Sequence, residues 1–184
     1  MTAPIIAQPL TATAFAPFGD VLAAAGPPDR LINQGLCERF HDRARLDFGT
    51  KGRAGISIFN AQPRALPYRL EMMERHPDGS QAFIPMTGQP FLVIVAPDAG
   101  GAPGLPRAFL TAPGQGINLL RGTWHGVLTP LHAPGLFAVI DRIGPTPNLE
   151  EHWFAHPFVV HAPAPATGPT ACKSGPPPQL RDPD

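Results

Sequence analysis

The stretch LPYRLEMMERHPDGSQAFIPM, residues 66–86, decides the fold. Its first half alternates. Leu66, Tyr68, Leu70 and Met72 fall on one face of an extended chain, and continuing by twos adds Glu74 and His76 to that face, which predicts them to point inward. Pro77, Asp78, Gly79 and Ser80 are turn formers, each for its own backbone reason. Gln81 then opens a second apolar run to Met86. Two extended segments around a tight turn make a hairpin. That hairpin returns Gln81 close to His76, so that Glu74, His76 and Gln81 face one cavity.

Working outward, the same grammar repeats. GISIFNA (residues 55–61), FLVIVA (91–96), RAFLT (107–111), GINLL (116–120), HGVLTPL (125–131) and LFAVIDR (136–142) are short strand candidates. They are separated by turn signals such as TGQP, APDAGGAPG and APGQG. The 26 prolines and 19 glycines leave little uninterrupted chain for helices. Two helix candidates remain: one starting at Thr11 and stopped by Pro17, and one or two turns within PNLEEHWF (147–154). Many short antiparallel strands with little helix predict an all-β double sheet or small barrel, best described as a jelly roll.

The chain of 184 residues suits one domain with a sizeable core, assigned to residues 1–161. Residues 162–184, APAPATGPTACKSGPPPQLRDPD, hold almost no bulky apolar side chains and predict a disordered, proline-rich tail. Lys plus Arg and Asp plus Glu balance at 14 each, so there is no basic excess to attract nucleic acid or an anionic membrane surface. Two cysteines, Cys37 and Cys172, are no disulfide framework. The N-terminus lacks the basic and apolar regions of a secretory signal, and PFLVIVAP is far too short for a membrane span. These features predict a cytoplasmic protein.

A second segment, GQGINLLRGTWHG (114–126), brings another imidazole, His125, just after a turn that Gly122 permits. A histidine on an apolar strand face is ordinarily a hydrogen-bonded core residue, and Trp124 beside it reads as packing. What sets His76 and His125 apart is a carboxylate and an amide at matching spacing, because a buried acid is costly without a partner or a purpose.

These residues resemble the two motifs of the cupins. In the first, His-x-His is followed by Glu and later Gly; here the order is Glu74-x-His76, Gln81 and Gly88. In the second, Gly, Pro-x-Gly and His become Gly114, Leu120-Arg121-Gly122 and His125. The spacing is kept, while Glu74 stands for the first His, Gln81 for the Glu and Leu120 for the Pro. With those departures the chain is similar to the ureidoglycolate lyase (ureidoglycolate hydrolase) family from about residue 10 to residue 156. The resemblance is carried by FGDVL, INQGLCERFHD, NAQP, LPYRLEMMERHPDGSQAFIPM, RAFLT, GQGIN, GTWH and FAVIDRIG together.

The resemblance implies a cupin jelly roll that splits ureidoglycolate into glyoxylate and urea in allantoin and purine breakdown. It also implies a homodimer that buries an apolar sheet face. That chemistry asks for a base, an acid and a holder for the substrate carboxylate, and no obligatory cofactor. Glu74, His76 and His125 are the candidate proton-handling set, with Gln81 orienting or ligating. Arg39 and Arg142 are candidates for the carboxylate because a guanidinium binds it with two parallel hydrogen bonds. Asn33 and His41 are further contacts, and alternation turns Arg75 outward. Glu74, His76, Gln81 and His125 also make a two-nitrogen, two-oxygen set suited to a divalent ion such as Ni, Mn or Zn. Competing readings are another cupin enzyme on a small hydroxy acid (an isomerase or dioxygenase with firmly bound metal) and a non-catalytic small-molecule binder.

Overall fold

The computed structural model describes residues 3–163, so the tail assigned to 162–184 lies, beyond its first two residues and with Cys172, outside the described residues. Strands dominate. In chain order they are β1 (Ile5–Ile6), β2 (Gln8–Pro9), β3 (Gly19–Leu22), β4 (Arg30–Ile32), β5 (Cys37–Arg39), β6 (Arg53–Ala61) and β7 (Tyr68–Arg75). Then follow β8 (Gln81–Pro85), β9 (Phe91–Ala96), β10 (Arg107–Leu110), β11 (Gly116–Leu119), β12 (Trp124–His125), β13 (Thr129–Pro130), β14 (Gly135–Ile143) and β15 (Glu150–His161). A four-residue helix, α1 (Ala12–Phe15), is capped by the Thr11 hydroxyl, which accepts from the Ala14 N–H, and goes no further toward Pro17. PNLEEHWF forms no helix: residues from Glu150 on belong to β15, whose backbone pairs with β7. HGVLTPL is broken into β12 and β13.

One sheet runs β1-β15-β7-β12-β9-β10-β2, with β13 also on β9. Ala7 alone separates β1 from β2, which pair with β15 and β10 at opposite ends, so this sheet nearly closes on itself. A second sheet runs β3-β11-β8-β14-β6. Strand β9 is buried on both faces and divides the core. Phe91, Val93 and Val95 pack between the sheets with Phe83, Phe109, Ile117, Leu119, Phe137 and Val139. Leu92, Ile94 and Ala96 pack on the far side with Leu70, Met73, Trp124 and Val160. The architecture is the expected all-β jelly roll.

Alternation along β7 is broken. Leu70 and Met73 lie in the same cluster, and Leu66 and Tyr68 pack against it. The phase therefore slips by one between Leu70 and Met73, next to the point where the β15 register shifts between Trp153 and Phe158. Glu74 and His76 face the space between the sheets, as expected, but on the opposite side of β7 from Leu66, Tyr68 and Leu70.

Strands β4 and β5 make a separate two-stranded sheet with a tight link at Asn33 and Gln34, whose φ values of 51° and 61° are left-handed. Leu36 at its tip is 87% exposed. No helix among the described residues is long and apolar enough to cross a membrane.

Candidate active site

Pairing positions the site. Glu74 lies directly opposite His125 in the β7–β12 ladder. The chain then turns through residues 77–80, and Gln81 opens β8 opposite Leu119 of β11. His76 and His125 stand with ring centroids 5.3 Å apart. One ligand atom each from Glu74, His76 and His125 lie within 4.8 Å of one another, and Gln81 Oε1 is 3.2 Å from His76 Nε2.

Tautomers follow from the neighbours. His76 Nδ1–H donates to the Asn148 carbonyl at 2.6 Å. A neutral His76 therefore presents a lone pair at Nε2, facing the Gln81 oxygen. Three states reconcile that contact: a protonated ring, a Gln81 amide turned to donate, or a cation between the two lone pairs. His125 Nδ1–H donates to the Gly126 carbonyl at 3.0 Å, leaving Nε2 as a lone pair. That Nε2 is buried with no hydrogen-bond partner among the described residues. Two imidazoles and a carboxylate, with ligand atoms within 4.8 Å of one another and one buried nitrogen unpaired, are a donor set that fits a divalent metal.

Burial sets the electrostatics. It holds the Glu74 carboxyl above its ordinary range; His76 opposes the shift and Glu151 adds to it. Burial, with repulsion from His76, pushes His125 down to about 3, against the help of the Gly126 carbonyl. His125 is thus neutral near pH 7, and its 3.9 Å approach to Glu74 is no ion pair. An apolar cavity of about 20 Å³ lies beside it, walled by Phe83, Ile117 and Leu119.

The His125 shift carries a stability consequence. The folded pKa lies below the unfolded 6.5, so the unfolded chain takes up the proton first as pH falls. Stability is complete above about pH 6.5 and is lost progressively toward pH 3. At pH 5 the loss from this group is about 2 kcal/mol. Glu74, raised by burial, acts with the opposite sign and offsets part of it. Urea denaturation of the metal-free protein at pH 7 and pH 5 is expected to show this drop, and a His125→Gln variant to lack most of it.

The other candidates lie elsewhere. Arg39 donates to His41 Nδ1 at 2.9 Å, and Asp29 accepts from the His41 backbone N–H and from Arg43. This exposed cluster on the β4–β5 hairpin, with Asn33 at its tip, makes no bond to Glu74, His76, Gln81 or His125 among the described residues. Arg142 projects from the outer face of the second sheet, its side chain 5% exposed. It donates to the Phe48 carbonyl at 3.2 Å and to the Thr146 hydroxyl at 3.1 Å. Alternation along β14 sends it to the face opposite its neighbour Asp141. Arg75 does turn away from the pocket, over the Trp124 ring at 4.6 Å and bonded to Asp98 and Glu150.

Two residues near the site escaped the sequence reading. Asn148 fixes His76 through its carbonyl and the following turn through its side chain, which accepts from the Asp78 N–H at 2.7 Å. It sat in a segment read as helix, and no local signal marks it. Asp141 shares the inner face of β14 with Phe137 and Val139, and counting by twos from those residues would have found it.

Comparison with known proteins shows the family. The family model described as ureidoglycolate lyase matches residues 2–161. A ureidoglycolate lyase of Rhodobacter capsulatus is 63% identical over 156 residues, covering 85% of this chain and 97% of its own length. One from a Chelativorans species is 54% identical over 160 residues, covering 86% and 97%. Ureidoglycolate lyase 2 of Rhizobium meliloti is 51% identical over 158 residues, covering 85% and 97%. With a match that spans nearly the whole described fold and relatives this similar along nearly their full length, the chain belongs to the ureidoglycolate lyase family.

Proposed function

We propose that this protein cleaves ureidoglycolate to glyoxylate and urea, as the names of its relatives suggest, in purine breakdown. The observation that carries the reading is the Glu74 carboxylate set opposite His125 in the ladder, with the His76 ring 5.3 Å from that of His125 and ligand atoms of all three within 4.8 Å of one another. The substrate carbon bears a hydroxyl, a ureido nitrogen and a carboxylate. Loss of the hydroxyl proton turns the O–H electron pair into the C=O of glyoxylate, the C–N bond breaks, and the departing nitrogen gains a proton to become urea. No water is consumed and nothing is oxidised.

Glu74 is the base for the hydroxyl proton, since burial lifts its basicity toward neutrality. His76, oriented by Asn148, donates to the leaving nitrogen. His125 is too weak a base to exchange protons near pH 7, so it serves as a lone-pair donor. A divalent ion such as Ni, Mn or Zn would be held by Glu74, His76, His125 and Gln81, and would supply Lewis acidity that eases loss of the hydroxyl proton.

The test measures glyoxylate, urea and ammonia from ureidoglycolate, with and without Ni²⁺ or Mn²⁺. Equal glyoxylate and urea are expected. Ammonia in place of urea would mean attack on the ureido carbonyl, and no glyoxylate would end the proposal.

A homodimer through the outer face of the second sheet completes the reading. Ile56 and Ile58 on β6 are 75% and 61% exposed, with Ile84 and Met86 beyond the β14 strand at 38% and 57%. The ladder sets Ile58 across Ala138 from Ile84, so the patch is continuous over three strands. An Ile56→Lys, Ile58→Lys variant is expected to sediment as a monomer where the parent sediments as a dimer.

A further inference from the structure

Asp141 has a feature that no role assigned so far uses. Its Oδ1 is buried and has no hydrogen-bond partner among the described residues. An unpaired buried carboxylate oxygen is costly, and such a group persists where a ligand supplies the missing donor. Its position says which ligand. Val139 pairs with Phe83 and Ile140 with Ala82, so the next step of the β14–β8 ladder sets Asp141 beside Gln81, about 5 Å away between backbones. Like Phe83 and Val139, both side chains take the inner face. On the other side Asp141 pairs with Gly55; a Cβ there would collide with Ile143 and make only an ordinary 3.6 Å contact with Oδ1, so that oxygen lies over the Gly55 backbone. A row across the second sheet therefore runs Gln81, Asp141, Gly55, and Gln81 at its end touches His76 of the Glu74–His76–His125 group at 3.2 Å.

We propose that Asp141 accepts hydrogen bonds from the ureido N–H groups of the substrate and so determines which end of it lies toward β14 and β6. This rests on the substrate reading above. The carboxylate of Asp141 attracts the N–H donors of the ureido end and repels the substrate carboxylate. The anionic end is turned toward the histidines, and the scissile carbon is left next to Glu74 and His76. Discrimination of this kind is strong because a site built to take a donor is left with an unpaired acceptor when the donor is missing.

Two uncleavable analogues isolate the contact. N-carbamoylglycine keeps the carboxylate and the ureido group but lacks the hydroxyl; N-acetylglycine replaces the terminal NH₂ with methyl. Calorimetric titration of the wild-type protein is expected to show about tenfold or greater preference for N-carbamoylglycine. Asp141→Ala, and Asp141→Asn as the shape-conserving variant, are expected to lose that preference while binding N-acetylglycine as well as the parent or better. Wild-type protein that binds the two equally, or neither, overturns the proposal, as does a preference that survives in both variants. Loss of affinity for both analogues to the same degree would mark a structural role and overturns it too. Binding is read without turnover, so this result stands apart from the glyoxylate assay, which alone decides whether the lyase reading fails.

Discussion

Replacing Glu74 by glutamine is expected to lower kcat for glyoxylate release by about 10²- to 10⁴-fold, the span that loss of a positioned general acid or base commonly costs. The substitution is nearly isosteric, so the β7–β12 pairing with His125 and the β15 contact at Glu151 persist. Burial opposes the charge of Glu74, and Glu151 repels it. Removing that charge should therefore leave the melting temperature unchanged or slightly raised. KM should move little, because the lost interaction belongs to the transition state. The pH profile supplies a second readout. A base must be deprotonated to act, so kcat/KM of the parent should rise with pH through a limb lying above the usual carboxylate value of 4.5. The residual activity of the variant should lack that limb. A rate within tenfold of the parent, or an unchanged acid limb, would remove Glu74 from the chemistry.

Much of the fold was legible because hydrophobic alternation and turn formers are local. Strands β6, β8, β9, β10, β11 and β14 fall where short apolar runs between Pro/Gly clusters placed them. The elements missed are those whose strand character comes only from a partner. β1 and β2 are two residues each and exist by pairing with β15 and β10, while β15 is polar at its start and forms by lying along β7. The site shows the same division. The convergence of Glu74, His76, Gln81 and His125 followed from a hairpin and a motif spacing, yet the parity count that led to it crossed a slip between Leu70 and Met73. A bulge is a tertiary event, set by what β15 does opposite β7, and period-2 counting along one strand cannot register it. Arginines were the hardest to place. Their long side chains make register a poor guide to where the charge ends, and both Arg39 and Arg142 are engaged in contacts away from the Glu74–His76–His125 group.

Arg142→Ala is expected to cost about 3 kcal/mol of stability, the scale of removing one partner from a buried charge-assisted network. For a domain of this size that is a fall of roughly 6–12 °C in melting temperature. The side chain fills a slot that three glycines keep open: a Cβ at Gly52, Gly79 or Gly144 would fall within 2.7 Å of it. Truncation leaves a cavity there and deprives the Phe48 carbonyl of its donor. The effect also reaches the pocket. Arg142 donates to the Thr146 hydroxyl, which donates to Asp78 Oδ2 at 2.8 Å. The Asp78 N–H donates to the Asn148 side chain, and the Asn148 carbonyl holds His76 Nδ1–H. Loosening the first link lets His76 drift, so kcat should fall about tenfold or more, the scale seen when outer supports of a site are lost. Arg142→Lys keeps the charge but not the planar fork that serves Phe48 and Thr146 at once, and should recover only part of either loss. The alternative role, holding the substrate carboxylate, has a different signature: KM raised by two orders of magnitude at an unchanged melting temperature. Measuring KM, kcat and melting temperature on the same preparation separates the two, because a guanidinium 5% exposed on the outer face of β14 can influence the substrate through His76 without touching it.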